Sequence, residues 1–170
     1  GLGDEICAAS MLPDAIRDCK KVIVDCDNRL QGLFRRSFPQ AAVYGTRWAK
    51  PGQGKWSEKS EDIDASIAGF EIGKLYRKRD EDFPGTPYLI PDPDRVAMWK
   101  GLFASKGKPV IGIAWTGGTW ENAASHRKLP LSDWQPIFDA VDAHWVSLQY
   151  KDAAEEVKGT PVTQYRYGTL

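Results

Sequence analysis

Two glycine-bearing loops contain the side chains and backbone groups best suited to bind or react with a ligand. The first, Gly1-Leu2-Gly3-Asp4, runs into an amphipathic stretch that is predicted to be a helix. Gly3 lets the backbone approach a ligand closely, and the start of a helix leaves backbone N–H groups unpaired. Asp4 also has a simpler explanation, because an acidic side chain in a first turn gains about 0.3–1 kcal/mol from the helix dipole. The residues by themselves leave both roles open.

The second loop follows a stretch predicted to be a strand, which is where open α/β sheets bind ligands. Its candidate ligand-binding residues are Thr116, Gly117, Gly118, Arg127 and Lys128. Together the exposed glycine amides, the threonine hydroxyl and the two cations suit a diphosphate. An ordinary strand-to-helix loop with solvated charges explains the same composition. His126 in this loop is either a general base or simply exposed.

The elements before these loops alternate between strand and helix. Apolar spacing over 4–19 predicts a helix in which Pro13 forces a kink or a division into two short helices. Two short apolar runs are typical of strands and flank a predicted helix. Their ranges are 21–25 and 42–44 for the strands and 28–38 for the helix. This alternation predicts a parallel, Rossmann-like α/β sheet.

A proline-punctuated segment at 83–91 predicts the boundary between two domains, 1–90 and 91–170. After it, Asp92 and Pro93 are a typical cap and first residue of a helix that ends near Gly107. The run 109–115 predicts a central buried strand in which Gly112 allows a helix to approach closely. The remaining predicted elements are helices at 132–141 and 152–158 and strands at 144–148 and 162–165.

The composition excludes several classes of function. Lys+Arg and Asp+Glu both number 23, so the overall charge gives no support to a purely electrostatic hold on nucleic acid or an anionic membrane. No apolar run approaches the roughly 18 residues that span a bilayer, and no signal segment opens the chain. The cysteines are odd in number and include no C-x-x-C pair, which indicates a reducing compartment without a zinc site. We therefore expect a soluble, cytoplasmic protein.

Six of the seven tryptophans divide into two groups. Those at predicted helix or strand core positions are Trp99, Trp134 and Trp145. Those in or beside loops are Trp48, Trp56 and Trp120. An indole in a loop is the kind that stacks on a ligand, so only the second group is of functional interest.

Five short motifs follow one another over nearly the whole chain. They are GLGDEI at 1–6 with Leu12-Pro13, YLIPDPDRV at 88–96 with Trp99, IGIAWTG at 111–117, RKLPL at 127–131 and VSLQ at 146–149. In this order they resemble glycosyltransferase family 9, the heptosyltransferase-like group. The likeness extends to the bacterial branch in which such a domain follows tetratricopeptide repeats.

The resemblance implies a GT-B architecture, in which two Rossmann-like domains face each other across a cleft. The first domain would bind the glycan or protein acceptor and the second the nucleotide-sugar. Transfer would be inverting and metal-independent, with no cofactor besides the donor substrate. Asp4 would deprotonate the acceptor hydroxyl. Thr116, Gly117 and either Arg127 or Lys128 would help to hold the donor diphosphate.

The sequence also departs from the family pattern. A later segment, an Asp-Thr pair followed by a His and a glycine-rich helix start, is missing, and residues 121–125 replace a more usual run of basic and Asn residues. The strand that should precede Gly1 is absent too. We therefore expect an excerpt of a longer chain that is inactive alone.

Two other functions stay open at the level of sequence. One is a non-catalytic α/β interaction module that retains the fold without turnover. The other is a nicotinamide-dependent enzyme, but its G-x-G-x-x-G fingerprint requires a glycine where Ile6 stands.

Overall fold

The computed structural model describes residues 1–50, 52–58, 63–117 and 128–165. They form a mixed α/β fold in which every named strand pairs in parallel, which confirms the predicted fold class. The chain divides into two compact units, Gly1–Val96 and Ala97–Leu170. The division falls within a helix at Pro93–Ala104. The domain boundary expected after residue 90 stays a prediction.

The first unit contains a two-stranded parallel sheet with short helices around it. In chain order its elements are α1 (Leu2–Ala9), α2 (Leu12–Asp18), β1 (Ile23–Asp25), α3 (Gln31–Ser37), β2 (Ala42–Tyr44) and α4 (Gly73–Tyr76). Single 3₁₀ turns lie at Trp56–Glu58, Gly69–Ile72 and Asp80–Asp82. The predicted division at Pro13 is confirmed, because this proline lies in the first turn of α2, where its missing N–H is not needed.

β1 and β2 are parallel because α3 returns the chain to the same end of the sheet. Val24 lies opposite Val43, and Asp25 lies opposite Tyr44. Phe34 of α3 covers the sheet and is 2% exposed. The other buried apolar residues of this core are Ala8, Ala9, Met11, Leu12, Cys26, Leu30, Phe38, Val43 and Ile72. The first unit thus has its own apolar core, and the carboxyl ends of both strands open at one edge.

The second unit contains a three-stranded parallel sheet in the order β3-β4-β5. Its elements are α5 (Pro93–Ala104), β3 (Val110–Ile113), α6 (Gln135–Ala140), β4 (His144–Ser147) and β5 (Val162–Thr163). As predicted, Asp92 caps α5, since its carboxylate accepts the Arg95 N–H at 3.2 Å. The helix expected at 132–141 is a 3₁₀ turn at Leu131–Trp134 that continues into α6.

Three expectations for this unit were wrong. The stretch 152–158 forms turns rather than a helix. β3 lies at an edge of the described sheet, because β4 pairs with both β3 and β5. Gly112 does accommodate a close neighbour, but the neighbour is a side chain and not a helix. A Cβ at Gly112 would lie 2.7 Å from a methyl carbon of Leu148.

The core of the second unit is rich in aromatic side chains. Trp145 of β4 is 3% exposed, and its ring meets that of Phe138 edge-on at a centroid distance of 5.1 Å. The other buried residues of this core are Ile113, Trp115, Leu131, Ala153 and Val162. Among the described residues, we find no helix of the length and apolar character that crossing a membrane requires.

Candidate functional site

Asp4 and Gly3, the two candidate residues of the first loop, lie in the first turn of α1. The Asp4 side chain is 71% exposed, and its carboxylate accepts a hydrogen bond from the Gly1 amino group at 2.6 Å. That hydrogen bond and the ammonium charge lower the pKa of Asp4. A peptide bond at the Gly1 nitrogen would remove this charge. Gly3 is exposed, and no atom lies within 4 Å of the position of a Cβ there.

Glu5, the neighbour of Asp4, connects α1 to the ends of both strands. Its side chain is 9% exposed and is held by two charge-assisted hydrogen bonds. One oxygen accepts the Asp27 backbone N–H at 2.7 Å, and the other accepts from Arg47 Nη1 at 2.7 Å. Asp27 follows β1 and Arg47 follows β2, so Glu5 fixes the carboxyl edge of this sheet.

Asp27 and Arg29 form a two-point ion pair at the same edge. Arg29 donates from Nε to one carboxylate oxygen at 2.9 Å and from Nη2 to the other at 2.8 Å. The Arg29 backbone N–H adds a third hydrogen bond at 3.0 Å. These bonds hold the pKa of Asp27 well below its ordinary value. The carboxylate is therefore ionised and fixed in direction.

The segment after β2 supplies an exposed aromatic ring. Thr46 donates from its backbone N–H and its hydroxyl to Asp25, at 3.1 and 2.9 Å. The Arg47 guanidinium then lies 5.1 Å from the centroid of the Trp48 ring. Trp48 is 72% exposed. We name Glu5, Asp27, Arg29, Arg47 and Trp48 the carboxyl-edge cluster.

Within the carboxyl-edge cluster, Trp48 is the one residue among the candidates predicted from the sequence. The signal was present, since Asp27 directly follows one predicted strand and Arg47 closely follows the next. Carboxyl ends of parallel strands meet at one edge of a sheet, where ligands bind in open α/β folds. Applying this rule to β1 and β2 would have found the cluster.

Cys26 lies beside this edge but is not a candidate nucleophile. It is 1% exposed, and burial raises the pKa of its thiol to about 12. The thiolate, which is the reactive form, is therefore negligible at neutral pH.

In the second unit, Thr116 and Lys128 lie side by side. They form an isolated antiparallel bridge, supported by a 3.0 Å hydrogen bond from the Leu129 N–H to the Trp115 carbonyl. Gly117 follows with an exposed backbone. Three candidate residues of the second loop thus come together just beyond the carboxyl end of β3.

Gln149, which follows β4, holds Thr116 in place. Its side chain is buried and hydrogen-bonds with the Thr116 hydroxyl. With the Gln149 amide oriented so that its nitrogen faces the Thr116 carbonyl, the nitrogen donates to that carbonyl at 3.1 Å. In the same orientation the amide oxygen accepts from the Thr116 N–H at 3.0 Å. The hydroxyl and backbone groups of Thr116 are therefore hydrogen-bonded to Gln149. The neighbouring groups that face solvent are the Gly117 backbone and Lys128.

Other candidate residues of the second loop, Gly118, Arg127 and His126, lie outside the described residues, as does Trp120. His144, the other histidine, is structural as expected, because its Nε2 hydrogen-bonds with the Tyr165 hydroxyl at 2.9 Å. Within the described ranges, no group of three or more His, Cys, Asp or Glu side chains is arranged to hold a metal ion.

Comparison with known proteins gives one informative similarity. The chain is 30% identical over 167 residues to Protein FlbA of Caulobacter vibrioides. The match covers 92% of this chain and 28% of the length of that relative. No protein-family model matches the chain. No solved structure matches it either. The chain is thus similar to one part of a longer bacterial protein.

Proposed function

We propose that this chain is part of a glycosyltransferase that moves a sugar from a nucleotide-sugar to a hydroxyl of a glycan or protein acceptor. The observation that carries the proposal is found in each unit separately. Polar side chains and open backbone gather where the parallel strands end, which is the ligand-binding edge of an α/β sheet. The family 9 resemblance assigns the acceptor to the first unit and the donor to the second.

In this proposal, Asp4 is the general base and Gly3 gives the acceptor room beside the helix. The exposed position of the Asp4 carboxylate supports this role, since a base must be reachable by the hydroxyl that it deprotonates. Its pKa is lowered chiefly by the Gly1 ammonium. In a longer chain the nitrogen of Gly1 is an amide, so Asp4 becomes a stronger base there.

On the donor side, Gly117 and Lys128 are the described groups that suit the diphosphate. Gly117 has an exposed backbone, and Lys128 is exposed beside it. Thr116 serves by holding this backbone, because its own polar groups bond Gln149. The proposed role of Gly118 and Arg127 in binding the diphosphate rests on the family resemblance alone.

The proposed reaction is a single displacement. The acceptor oxygen forms a bond to the anomeric carbon while the bond from that carbon to the diphosphate breaks. The acceptor proton passes to Asp4, and the nucleoside diphosphate leaves with its negative charge stabilised by backbone N–H groups and Lys128. The anomeric configuration is inverted, and the scheme needs no metal ion.

The similarity to FlbA supports a longer parent chain, since the match covers only 28% of that relative. We place the parent protein in the cytoplasm, where nucleotide-sugars are made, and expect tetratricopeptide repeats elsewhere in it on the strength of the resemblance.

The test is a nucleotide-release assay on the full-length product of the parent gene, with UDP-, GDP- and ADP-sugars as donors. We expect Asp4→Asn to lower kcat by about 10²–10⁴-fold, the usual contribution of a general base, without weakening donor binding. Asp94→Asn is the matched control, since Asp94 is also an exposed aspartate in the first turn of a helix.

Unchanged transfer by Asp4→Asn would remove Asp4 as the base. Tight binding of a nucleotide-sugar without any transfer would favour the alternative, a non-catalytic binding module with this fold. Failure of every donor to bind would exclude the donor role of the second unit.

A further inference from the structure

Trp48 is unusual for its exposure. With 72% of its surface accessible, it leaves a large apolar ring in solvent at the carboxyl edge of the first unit. Tryptophan is highly buried on average, and an exposed one with polar neighbours is typical of a binding surface. Its position just beyond β2 places the ring where α/β sheets bind their ligands.

The ring is also held in position. The Arg47 guanidinium lies against one face at 5.1 Å, and Glu5 fixes that guanidinium through a 2.7 Å ion pair. Trp48 also lies close enough to Asp27 for its side chain to lower the pKa of that carboxyl group. A side chain that is already ordered loses little conformational entropy when a ligand binds. The face away from Arg47 is the one open to a ligand.

Hydrogen-bonding groups lie at the same edge of the sheet as the ring. Arg29 is 67% exposed and uses Nε and Nη2 for Asp27, so among the described residues its Nη1 donors remain for a ligand. Arg47 is 44% exposed and uses Nη1 for Glu5. A flat apolar surface edged by fixed donors and a carboxylate matches a pyranose ring, which has C–H groups on its faces and hydroxyls around its rim.

The charge balance favours a neutral ligand. Within the carboxyl-edge cluster, Arg29 is paired with Asp27 and Arg47 with Glu5, so the cluster has no net charge. Asp4 adds a negative charge close to Arg47. A phosphate-bearing ligand such as a nucleotide therefore gains no net attraction here, whereas a hydroxyl-rich neutral ring meets no repulsion.

We propose that Trp48, with Arg29 and Asp27 at its edge, is a stacking subsite for a neutral pyranose unit of the acceptor. The identification of this sugar as the acceptor rests on the proposed function. Sugar binding at Trp48 itself is measurable without sugar transfer. It narrows the acceptor to a saccharide, or to a glycosylated protein that presents one.

The experiment is saturation-transfer NMR on the full-length product of the parent gene with methyl glycosides of glucose, galactose, mannose and N-acetylglucosamine. We expect millimolar binding of at least one, with the strongest transfer to ring C–H protons. Trp48→Ala should weaken that binding about tenfold, whereas Trp48→Phe, which keeps an aromatic face, should retain most of it. Circular dichroism of each variant establishes that the fold is kept.

UDP-, GDP- and ADP-sugars are titrated into the same samples, so that the two proposals fail separately. Sugar binding by none of the four glycosides, or equal binding by wild type and Trp48→Ala, would overturn the subsite. Trp48-dependent binding of the nucleotide-sugars instead of the glycosides would also overturn it, because the Trp48 ring would then stack on a nucleobase. Trp48-dependent glycoside binding without nucleotide-sugar binding would support the subsite and count against the glycosyltransferase.

Discussion

Asp27 shows how a single carboxylate organises the edge of the first unit. It accepts three hydrogen bonds from Arg29, and its own backbone N–H is held by Glu5. The three hydrogen bonds from Arg29 favour the ionised carboxylate, which is why the pKa of Asp27 is low. The turn between β1 and α3 therefore depends on a charge and not only on apolar packing.

A pH dependence of stability follows at the residue scale. The folded-state pKa of Asp27 is below 3.8, the ordinary value, so its contribution to the free energy of unfolding is complete above that pH. It is lost as the pH falls through the folded-state pKa. Urea unfolding at a series of acidic pH values should show a shallower decline for Asp27→Asn than for wild type.

Arg29→Gln is the partner variant, because it removes two of the three hydrogen bonds and keeps the backbone donor. Its decline with falling pH should lie between those of wild type and Asp27→Asn. If the free energy of unfolding falls with pH at the same rate in all three proteins, the ion pair of Asp27 with Arg29 does not contribute to this pH dependence.

At the scale of elements, Gly45 sets how closely the end of β2 approaches the turn after β1. A Cβ at this position would lie 2.8 Å from the Asn28 Cα and 3.1 Å from Gln31. The first of these is a backbone atom, which cannot rotate away. Gly45 thus allows the two strand ends to meet, and the carboxyl-edge cluster depends on that approach.

Gly45→Ala should therefore lower the free energy of unfolding by about 1–3 kcal/mol, the usual cost of overpacking. Gly32→Ala in α3 is the control, since a Cβ there meets only the end of the Arg36 side chain at 3.7 Å. Urea unfolding measures both variants. Equal free energies of unfolding for Gly45→Ala and Gly32→Ala would mean that the backbone near Asn28 shifts to admit the extra methyl group without cost.

Gln149 connects two elements of the second unit, because it follows β4 and bonds the residue beyond β3. Replacing it by Leu keeps the size and leaves the Thr116 N–H and carbonyl without their partner. We expect the free energy of unfolding to fall by about 1–3 kcal/mol and the Thr116 amide to exchange faster with solvent.

The matched control is Gln135→Leu, because Gln135 is exposed and its side chain bonds Asp139 of its own helix. An exposed change of this kind usually stays within about 0.5 kcal/mol. Hydrogen exchange at Thr116 that is unaltered in Gln149→Leu would show that the amide does not hold this backbone.

At the scale of the whole molecule, each unit has its own apolar core. Phe34 is 2% exposed in the first core, and Phe138 is 9% exposed in the second. Phe34→Ala or Phe138→Ala should lower the free energy of unfolding by about 3–5 kcal/mol, since the cavity left by the ring closes only in part. A local loss of this size raises hydrogen exchange in the unit that contains it.

Hydrogen exchange read by mass spectrometry should therefore respond differently to the two variants. Phe34→Ala should raise exchange in peptides from 1–96, and Phe138→Ala in peptides from 128–165. A uniform rise across the chain in both variants would show that the two cores unfold together.

Sequence patterns were sufficient for the class of fold and for most element positions. Periods of apolar residues predict α3 and α5, short apolar runs predict β1 and β2, and Pro13 predicts the division between α1 and α2. These features are local, because each depends on residues a few positions apart. The expected roles of Asp4, Thr116, Gly117 and Lys128 stay predictions, since position alone does not establish chemistry.

Contacts between side chains that are far apart in sequence follow from the three-dimensional fold and not from local patterns. The contact between Glu5 and Arg47 joins residues 42 positions apart, and that between Thr116 and Gln149 joins residues 33 apart. The exposure of Trp48 and the edge position of β3 are also set by distant strands. A local pattern carries no information about such pairings, because they depend on how parallel strands bring remote segments to one edge.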